Sequence, residues 1–307
     1  MSRRLSHLWL AALLALVATQ AAAEEKKCQL MMLAKLDMST GLSGRVNVPM
    51  SIGGRNVSLL IDTAGYVSTL TRYSVEQLSL HPESAFRPLE SYYGGEIVSQ
   101  FVTAHDVTLD HLKGDKFIFF VMSNNRASPD IGGTLAPDLL RAYDVEFDFA
   151  NSAFRLFSKE HCEGAVVYWT KDPFGRVAFR IDNSGHMVVP VLLDGKELRA
   201  AIDTGAADTV ASFDRVGDKF SLSEKTAGVS LVPGRPADRP HYRYPFKTLT
   251  FDDVTVNNPD ITLVPDRQSK MSSSNADIIV GMNVIRRLHV YIAYGEQYLY
   301  VTPATAH

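Results

Sequence analysis

The sequence predicts a mainly β protein: two pseudo-symmetric β-barrel lobes with short helices. Three observations carry that expectation. A block starting at Val48, VPMSIGGRNVSLLIDT, recurs without gaps 141 positions later as VPVLLDGKELRAAIDT from Val189. A second block, TLAPDLLRAYDVEFDF at 134–149, is paralleled by IVGMNVIRRLHVYIAY at 279–294. Both blocks are dominated by alternating or continuous apolar runs around short polar turns, which is strand and hairpin chemistry. A repeat of this length, carried twice, makes the chain two copies of one unit.

In chain order, the first 23 residues read as a leader rather than as part of the fold. Arg3 and Arg4 precede an apolar run from Leu8 to Val17, and Ala21-Ala22-Ala23 supplies a small-residue cleavage site. The run is short for a membrane span. The mature chain is therefore expected in the periplasm or the medium, with no membrane attachment once the leader is removed. The first lobe is expected over 29–160, a turn-rich crossover over 161–173 and the second lobe over 174–303. Within each lobe a hairpin leads into an Asp-containing loop, and an apolar strand, a small residue (Ala136 or Gly281) and a short helix follow. An alternating strand and a last hairpin strand, AFRLF or YLYVT, close the unit. The segments 74–80 and 136–143 are the expected short helices, and the Ser/Asn/Arg clusters at 123–129 and 267–275 read as surface loops.

Composition excludes several function classes. Apolar residues make up 46% and charged residues 21% of the 307-residue chain, enough for a sizeable core. A net charge of −3 gives no basic footprint for nucleic acid. There is no phosphate-cradling Gly-Lys-Ser/Thr loop and no zinc spacing, so neither a metal nor an organic cofactor is expected. His105 and His111, six apart in a strand-like region, read as solvated surface residues. Export puts the only two cysteines, Cys28 and Cys162, in an oxidising compartment. A bridge between them is expected; in the chain-entropy account so long a loop contributes about 4–5 kcal/mol. The alternative is two unpaired thiols.

The chemistry lies in the twinned loops, SLLIDTAGYVST at 58–69 and RAAIDTGAADTV at 199–210. A single Asp-Thr-Gly is weak evidence. Two copies at matching distances from a Val-Pro and from a closing apolar segment are not. Equivalent halves pack about an internal two-fold axis, so Asp62 and Asp203 are expected to meet. Two adjacent carboxyls share a proton, one titrating low and the other high. They can then serve as general base and general acid towards a water and a peptide carbonyl. Thr63 and Thr204 are expected to hydrogen-bond across into the opposite loop. Gly205 permits close backbone approach and offers an N–H to Asp203.

On these residues the sequence resembles the pepsin and retropepsin superfamily of aspartic proteases. DTGAADTV at 203–210 is similar to the retropepsin loop, and the two fused halves are similar to the pepsin layout. The resemblance implies a bilobal aspartic endopeptidase with catalytic Asp62 and Asp203, braced by Thr63, Ala64, Thr204 and Gly205, and acting as a monomer on a peptide or protein. It also implies a flap from the first lobe. SYYGGEIVSQF at 91–101 fits, with Tyr92 or Tyr93 as the flap aromatic and Gly94-Gly95 as the tip. Ala206 and Asp208 are then expected to face substrate.

The pattern departs from the family at Ala64 and Ala136, where glycines are usual, and at Ala207, where a substrate-facing acid is usual. Gly65 and Ala206 stand where a hydroxyl would favour the ionised carboxylate. Without it the pair should titrate higher, and activity is expected at mildly acidic to neutral pH. The alternative is a non-catalytic relative binding peptides or a protein partner between the lobes. Carboxylate-pair glycoside hydrolysis does not call for twinned Thr-bearing loops.

Overall fold

The computed structural model describes residues 29–41, 43–91, 96–122, 131–268 and 275–305. The leader, Cys28 and the flap tip Tyr92–Gly95 lie outside the described residues, as does most of each Ser/Asn/Arg loop.

Each half starts with the expected hairpin. Val46–Ile52 pairs with Arg55–Ile61, and Met187–Leu193 pairs with Lys196–Ile202, in the same register (Ile52↔Arg55, Leu193↔Lys196). The two-residue turns are Gly53-Gly54 and Asp194-Gly195, all four with positive φ. That conformation matches the twist of the flanking strands. The second strand of each hairpin continues a ladder with the closing apolar strand. Arg55–Ile61 runs parallel to Gly133–Leu135, and Lys196–Ile202 runs parallel to Ile278–Val280. These central strands are apolar because both faces are covered: Leu59, Leu60, Ile61, Leu135, Ala200, Ile278 and Val280 are fully buried.

The first half forms an eight-stranded sheet and the second a ten-stranded one. A third sheet joins them, in the order Met32–Asp37, Ala153–Phe157, Asp144–Asp148, Leu288–Ala293, Tyr298–Pro303, Gly175–Ala178. Its first three strands come from one half and its last three from the other. They meet at Val145↔Ile292, Glu146↔Tyr291 and Phe147↔Val290.

The short helices are shifted from expectation. The helix expected over 74–80 runs Arg72–Gln77, because Thr71 caps it by accepting from the Ser74 N–H. The segment expected over 136–143 is only Pro137–Leu140. An unexpected helix, Phe213–Phe220, follows the second Asp loop, with Ser212 as its cap. Gly217 inside it disguises the helical pattern. On either side of the expected flap tip, Glu83–Ser91 and Glu96–Leu109 pair antiparallel, and Leu112–Met122 continues that sheet. Among the described residues no helix is long and apolar enough to cross a membrane.

Candidate active site

Each Asp loop begins where its strand leaves the ladder. The Asp62 N–H donates to the Leu135 carbonyl (2.9 Å) and the Asp203 N–H to the Val280 carbonyl (3.0 Å). The next residues lock the two loops together. Thr63 Oγ1 donates to the Ile202 carbonyl (2.8 Å), and Thr204 Oγ1 donates to the Ile61 carbonyl (2.7 Å). Each threonine hydroxyl also accepts the other's backbone N–H, both at 3.1 Å. Both side chains are buried, so these four bonds form away from competing water and fix the loops to each other.

That lock brings the carboxyl of Asp62 against the opposite loop. A Cβ built at Gly205 would lie 2.6 Å from Asp62 Cγ and 2.7 Å from Oδ1. Only glycine fits there. Asp62 Oδ1 accepts from the Ala64 N–H (3.1 Å). Asp203 Oδ1 accepts from the N–H groups of Gly205 (2.8 Å) and Ala206 (3.0 Å). Burial raises Asp62 above the ordinary carboxyl range. The Ala64 and Gly65 N–H groups and the charges of His186 and Arg45 oppose that rise. Asp203 is pushed up to about 7, by burial first and then by the negative charge of Asp62.

The two loops are not equal behind the carboxyls. In the second, Gly281 packs so closely that a Cβ would lie 2.3 Å from the Asp208 carbonyl oxygen. The N–H groups of Met282 and Asn283 donate to Ala206 and Ala207 (2.8 and 3.0 Å). In the first, Ala136 stands in place of Gly281 and Pro137 in place of Met282, and proline has no N–H to donate. What is kept is the outer tie. Asp138 accepts from the N–H and hydroxyl of Ser68 (2.8 and 2.6 Å), as Asn283 Oδ1 does from Thr209 (2.9 and 2.6 Å). Beyond the two aspartates, Asp208 is exposed and Ala206 half-buried. Tyr66, 60% exposed, lines a cavity of about 300 Å³ with Gly65, Val67, Pro137, Arg141 and Gly185.

Sequence reasoning missed a second set of ionisable groups, on one face of the joining sheet. Glu146, Asp148 and His289 converge within 4.8 Å, a donor set of the kind that holds a cation. Arg155 Nη1 already bridges both carboxylates (2.8 Å to Glu146, 3.2 Å to Asp148), and His289 Nε2 lies 2.7 Å from Glu146. A buried ion-pair network is therefore the better reading. The crossover covers this face. Tyr168 donates to Glu146 (2.6 Å) and Trp169 stacks on His289 with centroids 4.2 Å apart. His161 Nε2 lies 2.6 Å from Asp144. Alternating acids in the strand DVEFD were the available signal. Cys162, beside His161, is disulfide-bonded.

Comparison with known proteins gives two findings. Residues 189–284 match the family model described as aspartyl protease. The fold is similar to the crystal structure of the aspartic proteinase from Irpex lacteus, with a TM-score of 0.57 and 13% identity. That match covers 89% of this chain and 98% of the other. No curated protein sequence matches the chain significantly.

Proposed function

We propose that this chain, pepsin- and retropepsin-like in fold and bearing the aspartyl protease family match in its second half, is an aspartic endopeptidase that uses Asp62 and Asp203 as a pair. The family match and the fold support peptidase function in general. The observation that carries the specific reading is the reciprocal Thr63–Thr204 lock, with the Asp62 carboxyl pressed against Gly205.

The two environments assign the roles. Burial raises both carboxyls, but the negative charge of Asp62 then raises Asp203 further, so Asp62 is the ionised member. Asp203, pushed up to about 7, keeps the proton. Asp62 takes a proton from water as the water oxygen attacks the peptide carbonyl, and Asp203 gives its proton to the carbonyl oxygen. In the resulting gem-diol, Asp62 returns its proton to the amide nitrogen while Asp203 recovers one from a hydroxyl. The C–N bond breaks, and acid and amine products leave. The one-proton state ends as Asp203 titrates, so activity should fall above about pH 7. A pH–rate profile checks this, and full activity at pH 9 would contradict it.

Export to the periplasm or medium, monomeric action and a flap at Tyr92–Gly95 belong to the same proposal, supported by the leader motif, the fused halves and the Gly-Gly turn. The decisive experiment is digestion of denatured casein between pH 3 and 8 by the mature protein, by Asp62→Asn and by Asp203→Asn. Loss of at least 100-fold in each variant is expected. Cleavage surviving both substitutions removes the pair from the mechanism. A folded wild type that binds a statine-type peptide but cleaves nothing favours the peptide-binding alternative.

A further inference from the structure

The cavity of about 300 Å³ beside the first Asp loop is closed by both halves of the chain. One wall is Gly65, where a Cβ would lie 3.0 Å from both Cγ and Oδ2 of Asp62, so this wall abuts the reacting carboxyl. Tyr66, Val67 and Pro137 give it apolar sides. At the bottom of the range for ligand pockets, its volume suits a single side chain. The opposite wall is Gly185, carried over from the second half by a turn. Seventeen residues before each aspartate, the chain closes the same turn. The Asp182 N–H donates to the His186 carbonyl and the Gly185 N–H to the Asp182 carbonyl, both at 2.9 Å. In the first half the Gly41 N–H donates to the Arg45 carbonyl (3.1 Å) and the Gly44 N–H to the Gly41 carbonyl (2.9 Å). Each turn reaches the other half. Arg45 Nη1 donates to the Gly205 carbonyl (3.4 Å), and the Gly185 carbonyl accepts from Arg141 Nη2.

Arg141 is the cation of the cavity. It follows the helix Pro137–Leu140, held there by its N–H on the Pro137 carbonyl (3.1 Å), and its side chain is half-buried. One of its five N–H donors is used on Gly185. Its Nε is buried with no hydrogen-bond partner. Among the described residues no carboxylate pairs with this guanidinium. The acids on the two flanking elements are engaged elsewhere. Asp138 accepts from the N–H and hydroxyl of Ser68 (2.8 and 2.6 Å) and from the Leu139 N–H (3.0 Å). Asp182 Oδ1 accepts from the N–H groups of Ser184 and His186, both at 2.9 Å. A charge drawn partly out of water without a counter-charge is costly, and the cavity leaves room for one. Arg286, in the equivalent place after the second short helix, is exposed, and Ala207 stands where the first loop has Tyr66.

We infer that this cavity is a substrate subsite for a carboxylate, with Arg141 as its specificity-determining residue, so that the protein prefers peptides carrying an acidic group close to the scissile bond. The inference rests on the endopeptidase reading and deepens it by naming the substrate class. A Glu side chain suits the site: its methylenes lie along the apolar sides, and its carboxylate meets a planar donor set that binds such a group in pairs. The free C-terminal carboxylate of a short peptide offers the same group. An uncharged Gln in that place leaves the guanidinium without a counter-charge, and that difference is what discriminates.

The test uses the full mature protein at about pH 5.5, where a glutamate side chain is ionised. The substrates are fluorogenic peptides with amidated C-termini, in which one Glu is moved through the positions flanking the cleaved bond, each with its Gln twin. A Gln peptide with a free C-terminus completes the set. One readout is kcat/KM. The other is the Kd of the same peptides for the Asp203→Asn protein by fluorescence polarisation, which needs no turnover. At one position the Glu peptide should be favoured over its twin about ten-fold or more. A preference shown only by the free-terminus peptide identifies the C-terminal carboxylate as the group bound. In Arg141→Met the ratio should fall to about one, whereas a merely structural loss lowers both twins alike and leaves the ratio standing. Arg141→Gln replaces Met if that variant does not fold. Twins that are equal at every position with no gain from the free terminus, or a ratio that survives Arg141→Met, overturn the inference. A wild type that cleaves none of the peptides sinks the endopeptidase reading, and the Kd ratio then still decides the role of Arg141.

Discussion

Among single residues, position 3 of the two motifs makes the sharpest contrast. Gly205 has no space for a Cβ, since the Asp62 carboxyl occupies it. Gly205→Ala should lower kcat at least 100-fold with little change in secondary structure, read by kinetics and circular dichroism. Ala64→Gly relaxes the equivalent loop and should leave kcat within about three-fold. Asp203 has a stability consequence of definite sign. Its folded value of about 7 lies above the ordinary 3.8. Between those pH values the folded state keeps a proton that the unfolded state has lost, so stability declines as pH rises through that window. Asp203→Asn, which cannot ionise, should be about as stable as wild type at pH 4. It should be more stable at pH 8, by up to roughly 4 kcal/mol, in urea unfolding at each pH.

At the level of elements, the crossover is more than a linker. His161 is held between Asp144 (2.6 Å) and Glu296 (3.3 Å). Burial opposes its charge, but the hydrogen bond to Asp144, the Cys162 carbonyl and the nearby carboxylates raise its titration above the ordinary imidazole value. That support is complete below the unfolded value and lost as pH climbs through the folded one. His161→Gln should therefore cost roughly 1–3 kcal/mol at pH 5.5, with the deficit shrinking towards pH 9, measured by denaturant titration. Much at this scale was legible in the residues. The Gly53-Gly54 and Asp194-Gly195 turns announce their hairpins, and the paired Asp-Thr loops lie at the ends of the strands that alternation predicts. The Phe213–Phe220 helix was hidden by Gly217. The Arg45 and His186 turns were hidden because a basic residue seventeen positions upstream has no local signature. Their meaning depends on one half reaching into the other, and so does that of the acids in DVEFD, over which His289, Arg155 and the crossover close.

For the whole molecule, the joining sheet decides how the halves recognise each other. Each contributes three neighbouring strands, and among the described residues the seam is the ladder between Asp144–Asp148 and Leu288–Ala293. At that seam Glu146 and Asp148 of the first half receive His289 of the second. A first half set against its own copy would place acid against acid at the same spot, a penalty the mixed pair avoids. The seam is thus keyed like a plug and socket. Fragments produced separately by a cut after Lys171 should ignore their own kind and combine one-to-one when mixed, and Glu146→Gln with Asp148→Asn should blunt that selectivity.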